Sequence, residues 1–550
     1  MDKLAVRSVL EHIAAFLELK GGNAARVRLY QNAARAGGGV RPDAPSEVHA
    51  VIRDLAATGR STMLDELREQ IPPGLGEMLR IPGLGVAKVR QIHERLHIDS
   101  LAELEDAAGD GRLAALPRFG RKTAENVRKG IAALRHASEF RLLHHALDEA
   151  QGIAQALAAL EGVRRVEIAG SVRRRREIIR DLDFVVVPAG DEMREALVKR
   201  LDEAPGVIEL AGKEGAVILR FASGAVVDVF LATPNDLGLT WIRATGSAEH
   251  VAQLEARLTG NGPWRDEESV YRAAGLPWIA PELREGMGEI AAAAAGRLPR
   301  LIEQRDLKGL LHCHTNYSDG TTTVAEWADA CRAAGYEWMG ITDHSQSSAY
   351  AGGLRAEDVA RQHAEIDAVN RGYGDFRVLK GVEADILADG SLDYGPAVLD
   401  QFDFVIASIH TRFGMTEAQM TDRVLRALDD PHTAILGHPT GRLLLARDPY
   451  AIDLERVLQR AAERGVAVEV NADPHRLDLD WRMVRRARDL GVSISLGADA
   501  HSVAGMTNVP VGLGIARKGW LTAEDVLNTR DAQGFLAHAR LRLKTGPVYA

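Results

Sequence analysis

Apolar positions in the first 140 residues recur every three to four places, as in "LAVRSVLEHIAAFLEL", and short Gly/Pro breaks separate such runs. This spacing predicts a succession of amphipathic helices. From residue 163 the period changes: "VRRVEIAGS", "DLDFVVVP", "AVILRF" and "AVVDVFLA" are short, rich in Val and Ile, and predict strands. Residues 281–305 read as a closing helix and linker. Beyond 306 the apolar runs "KGLLHCH", "YEWMGITDH", "FRVLKGVEAD", "FDFVIASIH", "TAILGHP", "VAVEVNA" and "VSISLGADAH" alternate with helical segments, the pattern of a parallel α/β barrel. Each run except "VAVEVNA" ends in a motif bearing His, Asp or Glu. Reactive groups of such barrels stand at the C-terminal strand ends.

A chain of 550 residues exceeds one core, and roughly 150 residues per domain predicts three or four domains. Hydrophobic residues at 46% and charged residues at 26% supply each with an ordinary interior. The two cysteines, Cys313 and Cys331, form no CxxC pair; this argues against a disulfide framework and a thiolate zinc site, and predicts a reduced, cytosolic setting. The first residues carry no signal-peptide core and no apolar run approaches a membrane span, so a soluble chain without a membrane partner is expected. Net charge is −9, which argues against nucleic acid until the chain is divided. Residues 1–140 hold 21 Lys+Arg against 18 Asp+Glu, whereas 306–550 hold 26 against 34. The acidity lies where a multi-metal site needs it, and the basic surplus of the first part is a weak sign of DNA binding.

In "IPGLGVAKVRQIHERL" (81–96) a Pro-Gly-x-Gly turn opens an amphipathic helix. Glycines let backbone approach a phosphate, and free N–H groups at the helix start bind anions. The segment resembles a helix-hairpin-helix motif, a grip on the DNA backbone, through Gly83, Gly85 and Lys88. A degraded second copy, "LPRFGRKTAENVRKGI" (116–131), supplies Gly120 and Lys122 and has Arg118 where glycine is usual. Ordinary helix packing is the alternative for either copy alone.

The segment "IAGSVRRRREIIRDLDFVVV" (168–187) sets Asp181 and Asp183 two apart on a strand, hence on one face. Paired carboxylates repel without a cation, and Mg²⁺ favours carboxylate together with phosphate oxygens. Asp228 in "AVVDVFLA" adds a third carboxylate, so two ions can activate a 3′-hydroxyl and stabilise leaving pyrophosphate. Gly170 and Ser171 form the turn that would meet a triphosphate, and Arg174 would neutralise it. The order Gly-Ser, nine residues, Asp-x-Asp, strand Asp resembles the nucleotidyltransferase palm of family X DNA polymerases. "TGSAEH" (245–250) resembles that family's nucleotide pocket, with Thr245 and Gly246, and "TGR" (58–60) resembles a turn of its N-terminal domain. A template-independent nucleotide-adding enzyme is the alternative reading of the palm motifs alone.

The chain departs from the family pattern in three respects. Val51 stands near the place of a Schiff-base lysine, and no Pro-Gly-x-Gly hairpin precedes "TGR", which puts 5′-phosphate grip and lyase action in doubt. Arg243 and Ala244 replace an aromatic pair that screens the sugar 2′ position, so weak discrimination against ribonucleotides is expected. Arg175 stands where glycine is usual after the arginine pair.

His312 and His314 alternate on a strand and face one side. Alone they suit a polar strand end. With Asp319, His344, Glu383, His410, His438, Asp499 and His501 at other strand ends they make an imidazole–carboxylate set suited to Mn²⁺, Zn²⁺ or Fe²⁺. The segment resembles the polymerase and histidinol phosphatase (PHP) domain, a distorted (β/α)7-type barrel. The resemblance implies one ion on His312, His314, Glu383 and Asp499, a second sharing Glu383 with His410 and His438, and a third on Asp319, His344 and His501. Such ions would activate a water for in-line attack on phosphorus. Asp343 and Asp385 read as partners orienting ligands or as strand-end caps, Cys313 as core, Arg412 and Arg442 as phosphate contacts, and His144 and His145 as structural.

The fold expected is therefore multidomain α/β: a helical domain at 1–72, a helix-hairpin-helix domain at 73–140, an α+β palm at 141–235, a thumb-like part at 236–300 and the PHP barrel at 306–550. The resemblance implies a monomeric, cytoplasmic, nucleoid-associated repair polymerase acting on primer-template or gapped DNA with dNTPs and Mg²⁺ or Mn²⁺. To this it adds an Mn²⁺-dependent 3′-5′ exonuclease with possible incision of abasic DNA and removal of 3′-phosphates. A small-molecule phosphatase with an accessory N-terminal half, and a DNA-binding scaffold with unused sites, are the competing readings.

Overall fold

The computed structural model describes residues 3–35, 45–58, 60–213, 215–222 and 224–540. The chain divides into two compact units, Met1–Glu139 and Phe140–Ala550. The described part of the first unit is helical, from Lys3–Leu19 to Gly120–Ser138. One apolar cluster runs through it, from Leu10 and Ile13 past Met78, Val89 and Ile92 to Val127 and Ile131. Val51 is one of its buried side chains. The "TGR" turn includes Gly59, which lies outside the described residues.

The second unit begins with a five-stranded sheet: β1 (Val163–Ile168), β2 (Leu182–Pro188), β3 (Val207–Lys213), β4 (Ala216–Phe221) and β5 (Val226–Leu231), in the order β1-β2-β5-β4-β3. Only β2 and β5 run parallel, and their register sets Asp183 directly beside Asp228. The helix Leu143–Ala158 covers the sheet through Leu143, Ala146 and Ala150. Strand β3 has no counterpart among the apolar runs of the sequence. It is an edge strand paired only with β4, with Ile208 exposed, so burial never imposed an apolar alternation on it.

Residues 281–305 form no long helix. A 3-10 turn at Pro281–Leu283 is followed by Gly286 (φ 74°) and Gly288 (94°), then by a short helix, Glu289–Ala294, and Gly296 (65°). These left-handed positions stop the helix that the alanine content suggested.

The rest is a closed parallel barrel of seven strands: β6 (Gly309–Cys313), β7 (Trp338–Ile341), β8 (Arg377–Asp385), β9 (Phe404–Ser408), β10 (Thr433–Leu436), β11 (Ala467–Asn471) and β12 (Ile494–Ala500), with β12 pairing back onto β6. Every residue of β6 and β9 is buried, as expected of strands covered on both faces. One continuous apolar cluster joins palm residues such as Phe184 and Val186 to barrel residues such as Leu310, Val382 and Leu513. Trp520, just after the barrel helix Val509–Lys518, is buried with Leu239, Ile242, Tyr271 and Leu283, which precede the barrel. Among the described residues no helix is long and apolar enough to cross a membrane.

Candidate active sites

The two hairpins of the first unit have related backbones. Gly83 takes a φ of 85° and Arg118 one of 69°, so the arginine adopts the left-handed geometry that its glycine counterpart adopts freely. Gly85 is the N-cap of the helix Val86–Leu96 and brings no side-chain cap, which leaves first-turn amides for an outside acceptor. Gly120 opens the helix Gly120–Ser138 at a φ of 70°. Lys122 is exposed. Lys88 instead donates to the Gly83 carbonyl at 2.9 Å and lies over the Phe119 ring, tying one hairpin to the other.

In the palm, Asp183 and Asp228 are register partners, and Asp181 immediately precedes β2. Gly170 is pressed against Asp183: a Cβ at that position would lie 1.7 Å from Asp183 Oδ2, and its φ is 65°. The Ser171 hydroxyl is buried without a hydrogen-bond partner. A buried hydroxyl so placed, with carboxylate oxygens alongside, fits a phosphate-bearing ligand held with Mg²⁺ or Mn²⁺. Among the described residues no group of three palm carboxylates has its ligand atoms within 4.8 Å of one another; the groups set that closely are all in the barrel.

The arginines beside this turn are already engaged. Arg173 meets Glu267 through two bonds of 2.6 and 2.8 Å, donates to the Thr245 hydroxyl at 3.0 Å, and lies 3.6 Å over the Trp241 ring. Glu267 also receives two bonds from the fully buried Arg284. Burial raises the Glu267 pKa, but hydrogen bonds from Arg284 and Arg173 outweigh that and bring it to about 2. Arg174, expected at the triphosphate, donates to Glu285 at 2.9 Å and to the Thr245 carbonyl. In "TGSAEH", Ser247 caps the helix Ala248–Glu255, a Cβ at Gly246 would lie a tight 3.0 Å from His250 and Val251, and His250 is buried between Glu289 and Tyr271. Arg243 is exposed and paired with Glu255 at 2.6 Å, and Ala244 is buried.

At the C-terminal end of the barrel the structure brings all nine candidate ligands together. Groups with ligand atoms within 4.8 Å of one another are His314, Asp319, His344 and His501; His312, His438 and Asp499; His312, His314 and Glu383; and His344, Glu383 and His410. These groups overlap: His314 joins the Asp319 group, and His438 reaches both Asp499 and, at 2.8 Å, Glu383. His312 Nε2 is 3.3 Å from Glu383 and 3.7 Å from Asp499, and His314 Nε2 is 3.7 and 3.5 Å from the same carboxylates. Both nitrogens are buried and neither makes a hydrogen bond. Lone pairs that converge at these separations without bonding one another fit cations between them.

Backbone strain helps to aim them. His312, His438 and Asp499 have φ of 61°, 50° and 47°, a conformation that costs non-glycine residues about 1–2 kcal/mol each. The β6–β7 and β12–β6 registers shift at these places, so His312 and His314 reach the site through an irregular strand end and not through plain alternation. Burial, then His501 and His344, pushes His314 down to about 3 and keeps it neutral; Asp319 overcomes burial to lift His501 to about 9. Glu383 is held well below the usual carboxylate range by His410, His312 and His344 against the effect of burial.

The supporting residues come partly from the one strand that lacked a ligand motif. Glu469 on β11 accepts from His312 Nδ1 at 2.5 Å, and Asn471 donates to Asp499 at 3.0 Å. A lone glutamate inside the apolar run "VAVEVNA" was the available signal. Arg476, 3.3 Å from Asp499, also lies at the site. Asp385 bonds His410 Nδ1, while Asp343 receives Thr315, Ser318 and Gln362, one group on a ligand and the other on the loop that carries Asp319. Arg442 donates to the backbone carbonyls of Arg476 and Leu477, and Arg412 is exposed. Cys313 is buried core, and the His144 ring lies tilted against His145 and His475, with centroids 3.8 and 5.6 Å away.

Comparison with known proteins accounts for both halves. Residues 311–473 match the PHP domain family, and residues 75–133 match the SAM-like helix-hairpin-helix tandem family. Two proteins each named "Probable phosphatase", from Clostridium acetobutylicum and Caldanaerobacter subterraneus subsp. tengcongensis, are 31% and 32% identical over 29% of this chain, covering 63% and 60% of their own lengths. The "DNA polymerase/3'-5' exonuclease PolX" of Bacillus subtilis is 34% identical over 98% of this chain and 99% of its own length. With palm, hairpins and barrel in one chain and a match from end to end, the protein belongs to the PolX family of family X DNA polymerases that carry a C-terminal PHP domain.

Proposed function

We propose that this enzyme extends a primer 3′ end on a template with dNTPs in its palm and degrades DNA 3′ to 5′ in its barrel, in the service of DNA repair. The observation that carries the barrel half is the convergence of nine His, Asp and Glu side chains, among which His312 Nε2 and both ring nitrogens of His314 are buried without a hydrogen bond. Asp183 beside Asp228, with Gly170 packed on Asp183, carries the palm half. The working division is 1–72, 73–140, 141–235, 236–300 and 306–550. Gly83, Gly85, Gly120 and Lys122 supply backbone amides and charge for DNA phosphates, with Lys88 bracing the hairpins. The partners are primer-template or gapped DNA and dNTPs, and the setting is the cytoplasm, as a monomer.

Divalent cations, Mg²⁺ or Mn²⁺ in the palm and three of Mn²⁺, Zn²⁺ or Fe²⁺ in the barrel, would supply charge neutralisation and Lewis acidity at phosphorus. Asp181, Asp183 and Asp228 would hold the palm ions; Ser171 and the turn at Gly170 would orient the triphosphate, and Thr245 and Gly246 would wall the nucleotide. In the barrel Glu383 is the shared carboxylate, bonded or close to His312, His344, His410 and His438. Glu469 and Asp385 orient His312 and His410 by holding their Nδ1 protons, which leaves Nε2 as the donor lone pair. Incision of abasic DNA and removal of 3′-phosphates belong to the same phosphoester chemistry.

A labelled primer-template with dNTPs and Mn²⁺ tests both halves. Extension should vanish in Asp183→Ala and degradation in His344→Ala, and a chelator should stop both. Degradation that survives loss of His344 refutes the barrel assignment. The relatives named as phosphatases favour a second reading, a small-molecule phosphatase; hydrolysis of a sugar phosphate but not of DNA would select it.

A further inference from the structure

The palm turn that carries Gly170–Arg173 does not rest on the palm alone. The barrel helix Val509–Lys518 ends against it. Lys518, the last residue of that helix, is fully buried. Its ammonium donates to the Arg174 carbonyl at 3.1 Å and to the Glu285 carboxylate, lies 3.5 Å from the Glu282 carbonyl, and sits 4.6 Å over the Trp481 ring. Gly514, one turn earlier, leaves the space that Arg175 occupies: a Cβ there would lie 3.0 Å from Arg175 Cγ. Arg175 itself has a φ of 59°, so a residue in the place of a usual glycine keeps glycine's backbone geometry and packs its stem on the barrel.

Glu285 is the hub. It is met by Arg174 at 2.9 Å, by Arg176 at 3.3 Å and by Lys518. Burial raises its pKa, but Lys518 and then Arg174 draw it down to about 2, so it is ionised throughout the working range. For Arg174 to turn toward a triphosphate it must leave this carboxylate. An ionised, nearly buried carboxylate releases one cation at low cost only if others remain. With Lys518 in place two remain; without it, Arg174 becomes the principal counter-charge of Glu285 and is held back.

We propose that Lys518, contributed by the barrel, is a positioning residue for nucleotidyl transfer, holding the Arg174 backbone and sharing the charge of Glu285 so that the Arg174 guanidinium is free to engage the nucleotide triphosphate. The palm is then complete only with the barrel docked. The helix of Lys518 follows β12 and its ligands Asp499 and His501 along the chain, with one 3-10 turn, Val503–Asn508, between. The proposal rests on the polymerase reading of the palm.

The test is steady-state single-nucleotide incorporation by the full chain, with DNA degradation and thermal melting followed on the same samples. Lys518→Met should raise the dNTP KM about tenfold, the loss of one charged interaction, while kcat falls far less and degradation stays at the wild-type rate. Adding Glu285→Gln removes the carboxylate that retains Arg174, and the double variant should return to within about threefold of the wild-type KM. A merely structural role would not produce that rescue. A folded Lys518→Met chain with wild-type KM overturns the proposal, as does a double variant as impaired as the single one. If Lys518→Met alone is too unstable to assay, the double variant decides: KM near wild type supports the proposal and a tenfold rise overturns it. Wild-type incorporation is the separate control: its absence removes the polymerase reading and the proposal with it, whereas its presence with an unaltered Lys518→Met removes the proposal alone.

Discussion

Gly170→Ala puts one methyl group where the Asp183 carboxylate now stands. The added Cβ would lie 1.7 Å from Asp183 Oδ2 and 2.5 Å from its Cγ. An ordinary carbon–oxygen contact is roughly 3.3 Å, so the carboxylate must retreat by about 1.5 Å or the turn must lift by as much. Either movement separates Asp183 from its register partner Asp228 or from the turn that faces it. Misplacement on the order of 1 Å costs about 100-fold in rate, and the φ of 65° costs alanine a further 1–2 kcal/mol or so in stability. In a unit of roughly 400 residues that stability loss corresponds to a melting shift of only about 1–2 °C. Single-turnover incorporation should therefore fall at least about 100-fold while the chain melts almost normally and degrades DNA at the wild-type rate. Incorporation within about threefold of wild type, in a variant of normal stability, would refute the assignment of Asp183 and the turn to one reacting site.

Glu267→Gln removes the carboxylate that faces the buried Arg284 and Arg173. Uncompensated buried charge costs about 3–5 kcal/mol, or roughly 4–6 °C for a unit of this size, read by differential scanning calorimetry; a shift under about 1 °C would contradict the reading. Because folding depresses the Glu267 pKa from 4.5 to about 2, its contribution is complete above pH 4.5 and disappears as pH falls toward 2, so wild type and Glu267→Gln should converge over that interval. Arg243 and Ala244, in the places of the family's aromatic pair, are respectively drawn to Glu255 and small and buried. Ribonucleotide insertion should accordingly be only weakly disfavoured, and strong rejection of rNTPs in single-nucleotide extension would show that another group screens the 2′ position.

Much of the fold was legible along the chain because burial writes itself into residue choice. All seven barrel strands coincide with the apolar runs, since a strand covered on both faces admits little but Val, Ile, Leu and Ala. The candidate ligands were visible for the same reason: a histidine or carboxylate at the end of such a strand is conspicuous against its apolar surroundings, and parallel strands deliver their ends to one side. Strand β3 is not legible because an edge strand with an exposed face carries no such imprint, and residues 281–305 resemble a helix because alanine favours one while three left-handed glycines forbid its continuation.

What the one-dimensional order determined by itself was the helical character of the first part, the seven barrel strands, and the inventory of side chains able to hold cations. What only the tertiary structure decided was partnership. The pairing of Asp183 with Asp228 is a register between strands, the bond from Glu469 to His312 spans 157 positions, and the contact of Lys518 with Arg174 spans 344. Periodicity reports the local environment of a residue, burial on one face or two, but the neighbour that meets a charged atom across such a span is set by how whole elements pack, and no local pattern encodes it.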